Sequence, residues 1–318
     1  MEGLLLAVTA VIVTYNSDGV INSCLEALTK LAPQVSTVVV DNASSDRTVD
    51  LVRARGGAKL IANEQNRGFA AAVNQGTSEA DRGDFILVLN PDTELLTAIE
   101  PLVESAGRDG LAAGRLLDTA GNAQAGFTIR RFPTPLSLAF ELLGLNRLWP
   151  SNRVNREYRY LDRDLNQPGP VEQPAGAFLM FRQDVWETLS GFDEQFYPVW
   201  FEDVDFCRRA VEAGYRIAYV PSVAARHRGG HSVSRISSQR RATYWCVSLL
   251  TYAAKHFGPW PFRGICAAVV LSSVPRMVAG MISERTLSSV VTYCNIMRFA
   301  GLCLVSPGHA KKSAVTLT

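Results

Sequence analysis

The chain has 318 residues, 47% hydrophobic and 19% charged, enough for one large or two small globular domains with a substantial core. Its six cysteines lack CxxC spacing, which excludes a disulfide frame or a zinc site and reads as reduced, buried thiols of a cytosolic protein. The net charge of +2 conceals an asymmetry: residues 213–318 carry thirteen Lys or Arg against one acid, Glu284, so that segment is about +12 and the first 212 residues about −10. A basic, apolar C-terminal third on an acidic body points to an anionic partner, a lipid surface or a pyrophosphate. The N-terminus runs from Met-Glu-Gly into an apolar run without a basic leader or a cleavage site, and no secretion signal is expected.

Val8 to Thr14 is a β-branched apolar run, predicted as a strand buried on both faces. Tyr15–Asp18 is expected to break it and cap a helix with Ile21, Leu25 and Leu28 on its apolar face. Val35 to Asp41 reads as a second strand, followed by a loop in which Ser44, Ser45 or Asp46 caps a helix through Val49 and Val52. Lys59–Ala62 is a short third strand, Phe69–Gly76 a helix of small residues, and Phe85–Leu89 a fourth strand. Strands alternating with helices at this spacing make a doubly wound sheet. The lack of GxGxxG after the first strand argues against a dinucleotide-binding domain.

A helix is predicted near Ala98–Ala106, then a Gly-punctuated region to Ile129 with a small hairpin. Residues 131–172 have weak periodicity and read as a long, partly mobile excursion, the kind of segment that often carries acceptor contacts. Ala175–Arg182 is predicted as a strand, Gly191–Glu194 as a turn, Phe201–Ala213 as a helix, and Tyr215–Val220 as the last strand. In Gly264–Ile282 and Leu287–Val305, Pro275, Arg276, Asn295 and Arg298 interrupt two apolar stretches, so helices lying on a membrane are expected rather than spans.

The fourth strand ends on Asn90-Pro91-Asp92. Pro91 forces Asn90 to be extended and presents Asp92 at a strand's C-terminal end, where open α/β sheets hold ligands. A carboxylate there either holds a divalent cation or caps the next helix.

Four pieces fall in order at strand ends: Val13–Asn16, Asp41–Asp46, Asn66–Phe69 with Asn74–Gly76, and Asn90–Asp92. With Gly191–Glu194 and Glu202–Asp205 they resemble family 2 glycosyltransferases of GT-A fold, in the bacterial rhamnosyltransferase-like branch, over roughly residues 8–235. The resemblance implies an α/β, doubly wound mixed sheet in a GT-A domain over 1–240, with a donor-binding half at about 1–95 and an acceptor and catalytic half at about 96–240. Residues 241–318 would form a C-terminal helical, membrane-associating segment.

It further implies an inverting transfer of a sugar, rhamnose from dTDP-rhamnose first and a UDP-hexose second, to a lipid-linked or glycan acceptor in cell-envelope synthesis. The place would be the cytoplasmic face of the bacterial inner membrane, on its surface. A non-catalytic nucleotide-sugar-binding or scaffold protein is the rival class, and a hydrolase of nucleotide sugars a third. No nucleic-acid partner is expected, and a homodimer is left open.

Thr14, Tyr15 and Asn16 would line the base, and Asp41 with Asn42 would receive it, Asp41 accepting the ring N3–H; the alternative for Asp41 is an Asx-turn. Arg67 and Gly68 would approach the diphosphate or ribose, or merely form a helix N-cap loop. Asn90 and Asp92 stand where the family carries DxD, with Asn90 as the departure, and Asp92 would bind Mg²⁺ or Mn²⁺. Asp203 would be the general base, with Glu202 its close second; alternatively Glu202, Asp203 and Asp205 only complement a helix dipole. His227 would be a further metal ligand, and Arg226, Arg228 and Arg235 would neutralise diphosphate oxygens, unless the stretch through His231 is a solvated basic loop. Tyr197 and Trp200 would stack on a sugar or sit in the core.

Overall fold

β1 (Val8–Thr14) is buried at every position, as an unbroken β-branched run requires of a strand covered on both faces. The computed structural model, which describes residues 7–80, 83–230, 236–284 and 287–306, sets β1 near the middle of a sheet. β2 (Ser36–Asp41) and β4 (Phe85–Leu89) flank it in parallel, and β3 (Lys59–Ala62) lies beyond β2. The crossovers are α1 (Ile21–Leu31), α2 (Thr48–Arg55) and α3 (Phe69–Ser78).

α1 buries Ile21, Cys24, Leu25 and Leu28, one stripe at helical spacing. The expected side-chain cap before it is absent: the Ser17 carbonyl accepts from Val20 N and Ile21 N instead, at 3.0 Å each. At α2, Asp46 is the residue among the three candidates that accepts the Thr48 N–H, at 3.0 Å. α3 uses small residues because it lies against the sheet so closely that a Cβ on Gly76 would come within 2.5 Å of Val11 Cγ1.

The second half of the sheet is mixed. β10 (Phe178–Arg182) runs antiparallel between β4 and β6 (Gly110–Leu117), and β11 (Arg216–His227) runs parallel to β6. β5 (Thr93–Leu95) pairs antiparallel with the end of β11, and β8 (Gly169–Pro170) pairs with it further back. A separate ribbon joins β7 (Ile129–Arg130) to β9 (Gln173–Pro174). α4 (Glu100–Asp109), α8 (Gln183–Thr188) and α9 (Glu202–Glu212) complete this half.

The last strand is longer than its sequence suggests. Pro221 looks like a terminator, but the register shifts between Val220 and Ala224, and this bulge lets the strand continue to His227. Arg226 and His227 therefore lie in a strand and not in a basic loop.

The chain divides into two compact units, each drawn from several stretches of sequence. The sheet unit holds Met1–Arg131, Arg163–Asp193 and Glu202–Ser232. The second unit holds Phe132–Asp162, Glu194–Phe201 and Val233–Thr318.

The second unit corrects two expectations. The excursion of residues 131–172 contains helices: α5 (Pro135–Leu142), α6 (Leu145–Leu148) and α7 (Arg153–Tyr158). Thr134 and Ser137 form a reciprocal capping box around Pro135, and Asn152 caps α7 through Asn155 N at 2.8 Å. The other helices are α10 (Ser238–His256), α11 (Pro259–Glu284) and α12 (Ser288–Val305). α11 continues through Pro275, and Arg276 is no surface break, because its Nη2 donates to the Leu142 carbonyl at the end of α5, at 2.8 Å.

By length and composition Pro259–Ser283 and Ser288–Val305 could each cross a membrane, and only 33% and 28% of an apolar 18-residue stretch in each is buried. α11 packs against both α12 and α5. Of the six cysteines, none of which forms a disulfide, Cys294 is exposed, against the expectation that all are buried.

Candidate active site

The ends of β1 and β2 are stitched together. Thr14 and Asp41 are register partners, and Thr14 Oγ1 donates to Asp41 Oδ2 at 2.7 Å. Ser44 N donates to Asp41 Oδ1 at 2.8 Å, and Ser44 Oγ donates to Oδ2. Asp41 is thus buried, its carboxylate bonded to its own loop three residues on, with acceptor capacity left on Oδ1. Asn16, at φ 51°, accepts from Ser45 N at 2.8 Å, while its own N–H donates to Ser44 Oγ at 2.8 Å. Tyr15 is half-buried on this loop.

Asn42 is an internal bracket. It is buried, donates to the Gly68 carbonyl at 3.0 Å and accepts from Asn63 at 3.3 Å. It holds the loop before α3, where Gly68 stands at φ 84° as N-cap and so gives the turn its left-handed step. Arg67, beside it, is exposed, and its guanidinium makes no hydrogen bond or ion pair with the described residues.

The turn after β4 carries the acidic side of the site. Asn90 N donates to the Ala177 carbonyl at 3.0 Å, and the Asn90 carbonyl accepts from Thr93 N at 3.1 Å. Asp92 is buried behind this turn, and its carbonyl accepts from Arg228 N at 3.1 Å. Pairing of Thr93 with His227 then sets His227 Nε2 3.5 Å from Asp92 Oδ1. Gln124 flanks the other edge of the imidazole, its Oε1 3.0 Å from Nδ1, and Phe127 stacks on the ring at 5.1 Å between centroids. Burial holds His227 below the ordinary imidazole range, against the pull of Asp92. Beneath the turn, Cys24 reaches the Asn90 carbonyl, and burial pushes its thiol so far up that it is chemically quiet.

Asp203 joins the same turn through β10's entry. Gly176 N, next to the Ala177 that binds Asn90, donates to Asp203 Oδ2 at 2.8 Å, and Val204 N donates to Oδ1 at 2.8 Å. Gly176 allows this approach, since a Cβ there would lie 3.0 Å from Asp203 Cβ. Burial pushes the Asp203 carboxyl above 3.8, opposed by the two N–H donors and by Arg130 on β7. A carboxylate with a raised pKa is the stronger base. Glu202, next to it at the start of α9, is buried. Trp200 and Phe201 precede it at φ 81° and φ 70°, a backbone state that bulky residues hold only where the fold imposes it. Tyr197 and Trp200 are both half-buried.

Asp205 has a structural task. It is fully buried and accepts from Arg209 Nε at 2.7 Å, while Arg209 also donates to the Leu189 and Gly191 carbonyls at 2.8 Å each. From the other side, Asn74 of α3 accepts from Phe192 N and donates to the Phe192 carbonyl, at 2.8 Å each. The Gly191–Phe192 turn is therefore clamped between α3 and α9.

Glu94 gives no sequence motif, yet it engages both arginines expected at the diphosphate. Arg226 Nη1 lies 3.2 Å and Arg228 Nη2 3.1 Å from its two carboxylate oxygens. Gln124, Phe127 and Arg130 are likewise invisible to motif reading, since each acts through a residue far away in the chain. Arg235 and His231 lie outside the described residues.

Asp92 and His227 bring one carboxylate oxygen and one imidazole nitrogen together, a donor set that fits a divalent cation with phosphate oxygens and water as further ligands. Among the described residues no group of three or more His, Cys, Asp or Glu is assembled for a metal.

The family model of glycosyl transferase family 2 matches residues 9–189, and that of glycosyl transferase family group 2 matches residues 160–305. The N-acetylglucosaminyl-diphospho-decaprenol L-rhamnosyltransferase of Mycobacterium tuberculosis is 27% identical over 266 residues, covering 79% of this chain and 85% of the relative. Rhamnosyltransferase WbbL of Escherichia coli K12 is 28% identical over 234 residues, covering 70% of this chain and 83% of the relative. A solved structure of GalNAc-T7 with UDP, GalNAc and Mn²⁺ has a TM-score of 0.54 at 16% identity, covering 80% of this chain and 52% of that one, a likeness of fold alone. With a family match across more than half its length and the mixed GT-A sheet described above, the chain belongs to glycosyltransferase family 2 and is a rhamnosyltransferase-like glycosyltransferase.

Proposed function

We propose that this glycosyltransferase inverts the anomeric centre as it moves rhamnose from dTDP-rhamnose to a lipid-linked or glycan acceptor of the cell envelope. The names of the relatives support the sugar and the acceptor class. The observation that carries the mechanism is the junction at Ala177 and Gly176, which ties the Asn90–Asp92 turn to Asp203 through two adjacent backbone groups.

Asp203 takes the proton of the acceptor hydroxyl as that oxygen forms its bond to the anomeric carbon. The bond from that carbon to the diphosphate oxygen breaks, and its electron pair leaves with the nucleoside diphosphate. One carboxylate is enough, because the leaving group departs as an anion and needs no acid, in contrast to glycoside hydrolysis. Asp92 and His227 would hold Mg²⁺ or Mn²⁺, which when bound supplies charge neutralisation at the departing diphosphate. Asn90, a weaker ligand than a carboxylate, borders that position. Among the described residues, Arg67, exposed beside the α3 N-terminus, is the cation available to the diphosphate; Arg226 and Arg228 would reach it only by releasing Glu94. The remaining acceptor capacity of Asp41 suits the N3–H of a thymine or uracil ring, with Thr14, Tyr15 and Asn16 around it.

The basic, apolar residues 241–318 would associate with the cytoplasmic face of the membrane, where a lipid-linked acceptor resides. Thermal-shift screening of dTDP- and UDP-sugars with and without Mn²⁺ tests the donor, since a ligand raises stability by mass action. Stabilisation by dTDP-rhamnose that grows with Mn²⁺ supports this reading. Stabilisation by UDP-hexoses alone replaces the donor.

A further inference from the structure

We propose that Gln124 is a positioning residue that fixes the tautomer of His227, keeping the ring proton on Nδ1 so that the Nε2 lone pair faces Asp92. The proposal rests on the reading of Asp92 and His227 as the cation pair.

Gln124 grips His227 at two points. Its Nε2 donates to the His227 backbone carbonyl at 2.8 Å, and its Oε1 lies 3.0 Å from His227 Nδ1. The first contact orients the second. A backbone carbonyl only accepts, so the amide must turn its NH₂ group to it. That leaves the amide oxygen, which also only accepts, at Nδ1, and Nδ1 must be the donor. Reversing the amide would set two oxygens against each other at one end and two nitrogens at the other.

The remaining ring nitrogen faces Asp92. Nε2 and Asp92 Oδ1 are 3.5 Å apart, beyond the ~2.7–3.2 Å of an N–H···O hydrogen bond. With the proton on Nδ1, a neutral ring turns its Nε2 lone pair toward the carboxylate oxygen, an arrangement that a shared cation relieves. A metal-ligating histidine generally donates its other N–H to a fixed acceptor, and Gln124 supplies that acceptor.

The bracket is itself held rigidly. Gln124 N donates to the Leu116 carbonyl at 2.9 Å, which ties it to the end of β6. Phe127 lies nearly parallel to the imidazole, at 12°, and blocks rotation of the ring out of the amide plane. His227 sits in the sheet opposite Thr93. Gln124 and Phe127 come from one turn between β6 and β7, where Phe127 N donates to the Gln124 carbonyl at 3.1 Å, and Thr93 comes from β5.

The test uses full-length protein with ¹⁵N-labelled histidine. The chain has four histidines, so a His227→Gln variant identifies the signal. Long-range ¹H–¹⁵N spectra distinguish the two tautomers. Wild type is expected to hold the proton on Nδ1. Gln124→Met keeps the volume but loses the acceptor; it should shift the proton toward Nε2 and weaken Mn²⁺ binding, read by electron paramagnetic resonance of free Mn²⁺ in the presence of dTDP, by ~10–100-fold. Gln124→Glu keeps an acceptor at Nδ1 while losing the donor to the His227 carbonyl, and should retain the tautomer. A proton on Nε2 in wild type overturns the proposal, even if Gln124→Met does not fold. So does a Gln124→Met protein with unchanged tautomer and unchanged Mn²⁺ affinity. If the tautomer follows the residue at 124 while His227 never responds to Mn²⁺, the bracket stands and the cation reading fails.

Discussion

Asp203→Asn separates the base from the binding machinery. The substitution keeps the shape and one acceptor oxygen, but its NH₂ group must face either Gly176 N or Val204 N, both of which donate to the carboxylate at 2.8 Å. One buried donor is then unsatisfied, at a cost of ~1–3 kcal/mol. Part of that is offset, because burial already makes the charged carboxylate unfavourable, which is what raises its pKa. The melting temperature should therefore move by only a few degrees. Turnover should fall ~100-fold or more, equivalent to ~2.7 kcal/mol in the barrier, because the acceptor hydroxyl loses its proton acceptor. The assay pairs single-turnover transfer with calorimetric donor binding, and binding should persist.

The pH profile provides a second readout of the same residue. The native carboxyl holds its proton to a higher pH than the unfolded chain, so its stabilising contribution is complete below 3.8 and is lost as pH rises through the native value. Activity has the opposite slope: it needs the ionised form and falls as pH drops through that raised value. Asp203→Asn should remove this acid limb. Turnover close to wild type in Asp203→Asn, or a dead Glu202→Gln that still binds donor, would refute Asp203 as base and, in the second case, exchange the two roles.

Asp92→Ala should abolish the divalent-dependent part of nucleotide binding and leave the melting temperature without ligand near wild type; unchanged nucleotide affinity in Mn²⁺ would remove the residue from the cation site. Arg209→Ala removes the guanidinium that neutralises the fully buried Asp205 and should cost ~3–5 kcal/mol in chemical denaturation, far more than an exposed pair such as Arg153–Glu157. The full-length protein should sediment with anionic vesicles, and high salt should weaken that association without reversing it, because the apolar part is not screened. Leu148 and Trp149 are 82% and 64% exposed, and their joint replacement by serine should weaken vesicle binding by at least ~10-fold, since one fully buried apolar side chain contributes ~1.5–3 kcal/mol. A protein that ignores anionic vesicles would make this an ordinary packed helical unit.

Local patterns revealed the N-terminal half of the sheet. Val8–Thr14, Val38–Asp41 and Phe85–Leu89 are apolar runs whose burial follows from composition, and the helices between them carry their own stripes. The other half depends on partners distant in sequence. β5 has three residues and exists because the far end of β11 pairs with it; β11 reaches that point only through a bulge that accommodates Pro221. β6 is Gly- and Ala-rich because Gly114 lies against Phe178, and a short-range reading sees only a punctuated loop.

The same division holds in the site. Asp92 and Asp203 stood out because strand ends and acid clusters are local features. Arg226 and Arg228 showed their charge but not their partner, Glu94, more than 130 residues earlier. Gln124 carries no charge and no motif, and its contact to His227 spans 103 residues. In the second unit, Arg276 looked like an interruption because its acceptor, the Leu142 carbonyl, is 134 residues away.

The most direct test of the account is a transfer assay on the full-length protein with labelled dTDP-rhamnose and a polyprenyl diphosphate-linked N-acetylglucosamine, with Mn²⁺ present or chelated. The account predicts a rhamnosylated lipid whose anomeric configuration is opposite to that of the donor, formed only with acceptor and divalent cation present. Retention of configuration, or free rhamnose released without acceptor at the rate of transfer, would contradict it.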